Sequence, residues 1–178
     1  VARASGVAYN PATGRIYIAS QGSGDLVVVE KDGTVVNQVV TATGVKDAEG
    51  KDVSSGALNV ALDSVNSLVY VTNRNAGTIT VHDADGALVQ TLDSGPMPNE
   101  GAVRQTIDAG RNPNHVEFDG RGNVYAVNKG GSRDGSTKND YVQRFSLVAG
   151  ASPGAAPDSS SAPTSGFTDP GGAAADPT

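Results

Sequence analysis

An all-β chain made of repeated four-stranded antiparallel units is what this sequence predicts, and three observations carry it. The first is a recurring strand that sets an aromatic between aliphatic residues: Ile16-Tyr17-Ile18, Val69-Tyr70-Val71 and Val124-Tyr125-Ala126. The second is the spacing of those tyrosines, 53 and then 55 residues. The third is the flanking pattern. Each Tyr strand follows a short apolar run ending in an acid or amide (Asn10, Asp63, Asp119) and precedes further short runs set off by loops, several of them Gly-bearing. Four short strands recurring in this way are the signature of a β-propeller blade, whose sheet packs face to face on its neighbours. A two-sheet sandwich explains alternating strands but not a unit that recurs three times.

Along the chain, the first unit covers about 4–44, with strands at 7–10, 16–20, 26–29 and 34–40 and a turn at Asp32-Gly33. The second covers about 57–108. Residues 68–71 in it are apolar on both alternating faces, as expected of a sheet covered on both sides. The third, about 113–148, has strands at 116–119, 124–128 and 141–145 and then stops being strand-like. Extra length falls at 45–56, a charged loop or small hairpin, and at 93–112. In the latter region Gln105-Thr106-Ile107-Asp108 repeats Gln90-Thr91-Leu92-Asp93. That duplication reads as a fifth edge strand, or else one copy is the fourth strand and the other a loop.

Residues 149–178 are rich in Pro, Ala, Gly and Ser, carry no Lys or Arg, and read as a disordered tail or linker. Three blades do not close a ring. The chain therefore reads as the C-terminal portion of a larger propeller, or as one that closes by self-association, for example two copies making six blades.

Composition narrows the function. With 178 residues, 37% hydrophobic, three Phe and no Trp, the core is built from small β-branched side chains. A net charge of −6 argues against holding phosphate backbones, so nucleic acid is not an expected partner. The absence of Cys excludes a disulfide framework, a thiolate zinc site and a Cys nucleophile. No apolar run approaches the roughly 18 residues of a membrane span. The chain opens on Val1 without a charged-then-apolar leader, which fits a cytosolic protein or one whose leader is removed or lies elsewhere.

The tetrapeptide Tyr70-Val71-Thr72-Asn73, its variants Tyr17-Ile18-Ala19-Ser20 and Tyr125-Ala126-Val127-Asn128, and the segment 110–116 ahead of a strand resemble the YVTN family of β-propeller repeats. The resemblance covers roughly residues 4–148. It implies an exported, periplasmic or cell-surface protein, and it is specific for fold rather than activity, since such propellers serve as binding platforms, surface proteins and, in distant relatives, enzyme domains. The repeat here is longer than the family's, with the surplus after the fourth strand.

In propellers the loops joining strands two and three share a face with the loops leading to the next blade, and that face commonly binds ligands. Candidate ligand-binding residues are accordingly Arg74, Asn75, Arg111, Asn112, Asn114, Asn128 and Lys129. To these are added His115 and Glu117, which alternate on one side of a predicted innermost strand and are expected to point at the central channel. A His–Glu pair there can bind a metal or shuttle protons, but a hydrogen-bonded contact between blades is the commoner role. His82 reads as an ordinary strand or surface residue.

Asp83-Ala84-Asp85-Gly86 begins like a calcium loop, yet its twelfth position is Ser94 rather than Glu, so it reads as a turn. Neither a dinucleotide fingerprint, a P-loop nor a nucleophile elbow is present. No catalytic set, metal site or cofactor is assigned. The leading expectation is a non-catalytic module binding a protein, glycan or small ligand. The alternative is a propeller enzyme, either a calcium-dependent lactonase-like hydrolase or a cofactor-dependent redox domain. Convergence of three or more of the axial polar side chains would favour the enzyme.

Overall fold

The computed structural model describes residues 1–47, 49–93, 113–121, 123–128, 141–146, 158–159 and 164–165. Its described residues form three antiparallel sheets. The first contains β1 (Ala4–Tyr9), β2 (Ile16–Ser20), β3 (Asp25–Val29) and β4 (Val35–Val40), paired in chain order. The second repeats that meander with β5 (Ala57–Asp63), β6 (Leu68–Asn73), β7 (Thr78–His82) and β8 (Leu88–Asp93). In the third, β9 (Pro113–Phe118), β10 (Asn123–Asn128) and β11 (Tyr141–Ser146) are joined by β12 (Asp158–Ser159) and β13 (Thr164–Ser165). These last two are dipeptides from the tail, and both pair with β11 on the side that β4 and β8 occupy in the other sheets. Of the duplicated segments, 88–93 is the fourth strand, and 105–108 lies outside the described residues.

Local chemistry explains the recurrence. The acid or amide closing each first strand makes an Asx turn. Asn10 accepts the N–H of Ala12, Asp63 those of Val65 and Asn66, and Asp119 those of Arg121 and Asn123. Before the Tyr strand the backbone turns left-handed at Gly14 (φ 78°) and, at the matching place in the second unit, at Ser67 (φ 56°). Each first strand also carries a bulge at the same position: Ser5, Leu58 and Asn114 are the extra residues in the pairings of β1, β5 and β9.

The sheets stack through their alternating faces. In β6, Val69 and Val71 pack with Tyr17, Ala19, Leu26 and Val28 of the first sheet. Leu68 and Tyr70 pack with Val116, Val124 and Ala126 of the third. Every residue of β6 is buried, because it is the centre of a sheet sandwiched on both sides. Where the first strands meet, Gly6 is required: a Cβ there would lie 2.8 Å from the Cα of Asn59. Each buried aliphatic side chain contributes about 1.5–3 kcal/mol, and the two cores set Val, Ala, Leu and Ile around one buried tyrosine each, Tyr17 and Tyr70.

Candidate functional site

Both sets of connecting loops emerge at one end of the sheets and are bonded to one another. Ser54 Oγ donates to the Gln21 carbonyl (2.9 Å), the Asn75 amide N–H reaches the Ser55 carbonyl (2.9 Å), and Asn75 Nδ2 reaches that of Ser54 (3.1 Å). Asn75 is thus a tie between loop and connection, while its neighbour Arg74 is exposed on the same rim. The 45–56 insertion contains a minimal hairpin. Val53 N–H bonds the Val45 carbonyl, Lys46 faces Asp52 in a β-bridge and an ion pair, and Asp47 Oδ1 accepts the N–H groups of Glu49 and Lys51. Its charged residues Lys46, Glu49, Lys51 and Asp52 are exposed, so the rim carries a preorganised, projecting charged element.

Below the rim, a buried hydrogen-bond ladder crosses from the first sheet to the second. Ser55 Oγ lies 2.7 Å from Thr41 Oγ1, Thr41 Oγ1 donates to Asn73 Oδ1, Asn73 Nδ2 donates to Thr80 Oγ1 (3.1 Å), and Thr80 Oγ1 meets His82 Nε2 (2.9 Å). His82 Nδ1 meets the Gly86 carbonyl at 3.0 Å. That carbonyl can only accept, so Nδ1 carries the proton and Nε2 accepts from Thr80. The surface alternative for His82 is therefore overturned: it is fully buried, and burial pushes its pKa below the ordinary value. Asn73, the last residue of the tetrapeptide, is the hinge of this ladder.

The position of Asn128 in β10 matches that of Asn73 in β6, and Asn128 is likewise fully buried. His115 and Glu117 do not point at a central channel. Cross-strand partners share a face, and His115 and Glu117 pair with Val127 and Tyr125, whereas Val116 and Phe118 pack toward the second sheet. The His–Glu pair therefore lies on the third sheet's face turned away from the second. There His115 Nε2 is 3.6 Å from Glu117 Oε2, and among the described residues neither it nor Asn114 Oδ1 has a hydrogen-bond partner. Arg111, Asn112 and Lys129 lie outside the described residues.

The turn reading of Asp83-Ala84-Asp85-Gly86 is supported by its bonds: Asp83 Oδ1 accepts the N–H groups of Asp85 and Ala87. Asp85 forms an ion pair with Arg15 of the first sheet. Among the described residues no three His, Asp or Glu side chains cluster as metal ligands would.

Asn59 escaped the sequence reading. Its Oδ1 accepts the Val116 N–H (3.2 Å) and so ties β5 to β9, and its own N–H bonds Thr72 Oγ1 (3.0 Å). Alignment of Gly6, Asn59 and His115 at one repeat position is the signal that would have marked it as a contact between sheets.

No protein-family profile and no curated protein matches the chain. Solved structures do. It is similar to the nidogen/laminin complex (TM-score 0.50, 16% identity, 80% of this chain and 44% of that one). It is similar to dihydro-heme d1 dehydrogenase NirN in complex with DHE (0.56, 21%, 88% and 28%) and to the RRP9 WD40 repeats (0.55, 11%, 83% and 36%). The shared feature is the β-propeller, and this chain forms three blades of an open, partial one. It spans less than half the length of each of these structures.

Proposed function

We propose that the chain is a non-catalytic propeller module of the YVTN-repeat type that binds a protein partner through its loop rim, in an exported or cell-surface setting. The observation that carries this reading is how the polar side chains are used. Asn59, Asn73, Asn75, Thr41, Ser55 and His82 are tied to neighbouring strands and loops, and the rim exposes the charged side chains of the Val45–Val53 hairpin and of Arg74. A rim of this kind favours recognition through exposed charged groups on a rigid support. The exported setting rests on the repeat resemblance. Protein recognition fits the propeller relatives, which include the nidogen/laminin complex.

The test is replacement of residues 46–52 by a short Gly-Ser turn, with Arg74→Glu in a second variant. Binding to an array of secreted and cell-surface proteins, glycans and small ligands should be lost in both while the melting temperature holds. Unchanged binding would remove the rim from the account.

A second reading, an enzyme domain drawing on calcium or a redox cofactor, is favoured by one feature, the paired His115 and Glu117 with an unsatisfied imidazole nitrogen. Titration calorimetry with millimolar calcium tests its metal form. A site would give heat that His115→Ala and Glu117→Ala abolish, and absence of heat would end that version.

A further inference from the structure

The buried ladder between the first two sheets ends at the feet of the rim hairpin. Thr41 and Ser55 bracket the Val45–Val53 hairpin along the chain, and both close on the Gly24 carbonyl: the Thr41 N–H at 2.9 Å, Thr41 Oγ1 at 2.9 Å and Ser55 Oγ at 3.1 Å. This joint has no slack, since a Cβ on Gly24 would lie 2.7 Å from Ser55 Oγ. The Ser55 carbonyl in turn holds the N–H groups of Asn75 and Ala76 in the neighbouring loop.

The donors of the ladder all run one way. His82 Nδ1 gives its proton to the Gly86 carbonyl, so Nε2 accepts and the Thr80 hydroxyl donates to it. With that proton committed, the Thr80 oxygen takes the Asn73 Nδ2 proton, Asn73 Oδ1 takes the Thr41 proton, and Thr41 Oγ1 is left to accept from Ser55. A hydroxyl carries one proton, and an amide has a donor end and an acceptor end, so each role fixes the next.

A second proton on His82 does not fit this order, because Nε2–H and the Thr80 O–H would meet donor to donor. The order that satisfies it is the reverse. Nε2–H donates to Thr80, Thr80 to Asn73 Oδ1 once that amide turns over, Asn73 Nδ2 to Thr41 Oγ1, and Thr41 to the Gly24 carbonyl. Turning the amide breaks the 3.4 Å contact of Asn73 Nδ2 with the Val71 carbonyl. It also brings the Thr41 hydroxyl onto a carbonyl that already takes the Thr41 N–H, which fills both acceptor sites and leaves Ser55 no share of it.

We propose that the ladder is a pH-sensing line: protonation of His82 reverses its hydrogen bonds as far as Thr41 and Ser55 and resets the stance of the rim hairpin, making recognition at the rim pH-dependent. The regulation rests on the reading of the rim as the binding surface, whereas the reversal does not. Burial holds His82 neutral and moves its titration below the ordinary value, so the reversal comes as the solution turns acidic. Among the described residues, the other titratable and charged groups on this side are few. Asp83 favours the proton. Tyr17 of β2 stays neutral because burial raises its pKa, and Arg15 beyond it is paired with Asp85 and Glu30. Leu26 and Val28 of β3, Asn37 and Val39 of β4, Leu62 of β5, Val69 and Val71 of β6 and Leu88 of β8 do not titrate.

Nuclear magnetic resonance of the full chain from about pH 7.5 to about pH 4.5, with the His82 ring nitrogens as reporter, tests the reversal without any partner. The backbone amide signals of Thr41 and Ser55 and the side-chain amide of Asn73 should shift with the midpoint of the His82 ring, while β6 amides stay as protected from exchange as at neutral pH. His82→Gln should abolish the shifts at Thr41 and Ser55. Thr80→Val should leave the ring titrating with those shifts lost; should it not fold, His82→Gln carries the test alone. A ring that does not titrate in this range, a titrating ring with Thr41 and Ser55 unmoved, shifts that persist in His82→Gln, or β6 exchange that opens at the same midpoint would overturn the proposal. Replacing the hairpin decides the rim reading and these signals decide the switch, so each fails separately.

Discussion

The contact between the first and second sheets and the contact between the second and third use the same repeat positions and different chemistry. In the former, an apolar cluster is roofed by the Ser55–Thr41–Asn73–Thr80–His82 ladder and clamped at the far end by Arg15, Tyr17 and Asn37, all bonded to the 83–86 turn. In the latter, Ile79, Val81 and Leu92 join Tyr70 in an apolar cluster, Asn59 Oδ1 takes the Val116 N–H, and among the described residues the hydroxyl of Tyr70 meets no partner. The difference shows that a repeat fixes which face is buried, while single residues decide whether the contact is held by packing or by directed hydrogen bonds.

Ile79→Ala strikes the packed contact and has the largest expected effect, a loss of about 2–5 kcal/mol in denaturant unfolding. The bonded contact is more sensitive to acid. His82 is held neutral by burial, so its folded pKa lies below the ordinary 6.5, and the unfolded chain binds the extra proton first. Its contribution is intact above about pH 6.5 and is lost as pH falls toward the folded pKa, with a slope of up to about 1.4 kcal/mol per pH unit. His82→Gln should flatten that slope in urea melts taken between pH 7 and 5.

Removing the two tyrosine hydroxyls should separate the contacts further. Tyr17→Phe loses the bond to the Ala84 carbonyl and about 1 kcal/mol, whereas Tyr70→Phe, which relieves a hydroxyl whose pKa burial drives up, should be neutral or stabilising. The smallest effect belongs to Ser67→Gly. It eases a left-handed backbone at the place Gly14 holds in the first unit and should raise stability by about 0.5–1 kcal/mol in thermal melts.

Much of this architecture is legible in the sequence because it is local. The Tyr strands, the Asx residues that end each first strand and the Asp-Gly turns are recognisable from neighbours within a few positions. The two-sided burial of β6 follows from its apolar alternation. What the sequence hides are partners distant along the chain. Asn73 reads as a family letter until Thr41 is placed against it, 32 residues away. Asn75 reads as a loop tip until it meets Ser54 and Ser55.

His115 and Glu117 illustrate a second limit. Period-two alternation correctly places them together, but it cannot say whether their side faces a channel or the next sheet, and the bulge at Asn114 falls beside them. His82 fails for the same reason, since a polar residue in a strand can face water or a ladder.

The central claim is that Asn73 holds the first two sheets together through Thr41 rather than serving a ligand. A double-mutant cycle with Thr41→Val and Asn73→Leu, read by equilibrium unfolding, tests it directly. A coupling energy of about 1–3 kcal/mol is predicted, because either change alone already removes the Thr41–Asn73 hydrogen bond and the second change cannot remove it again. Strictly additive losses would contradict it.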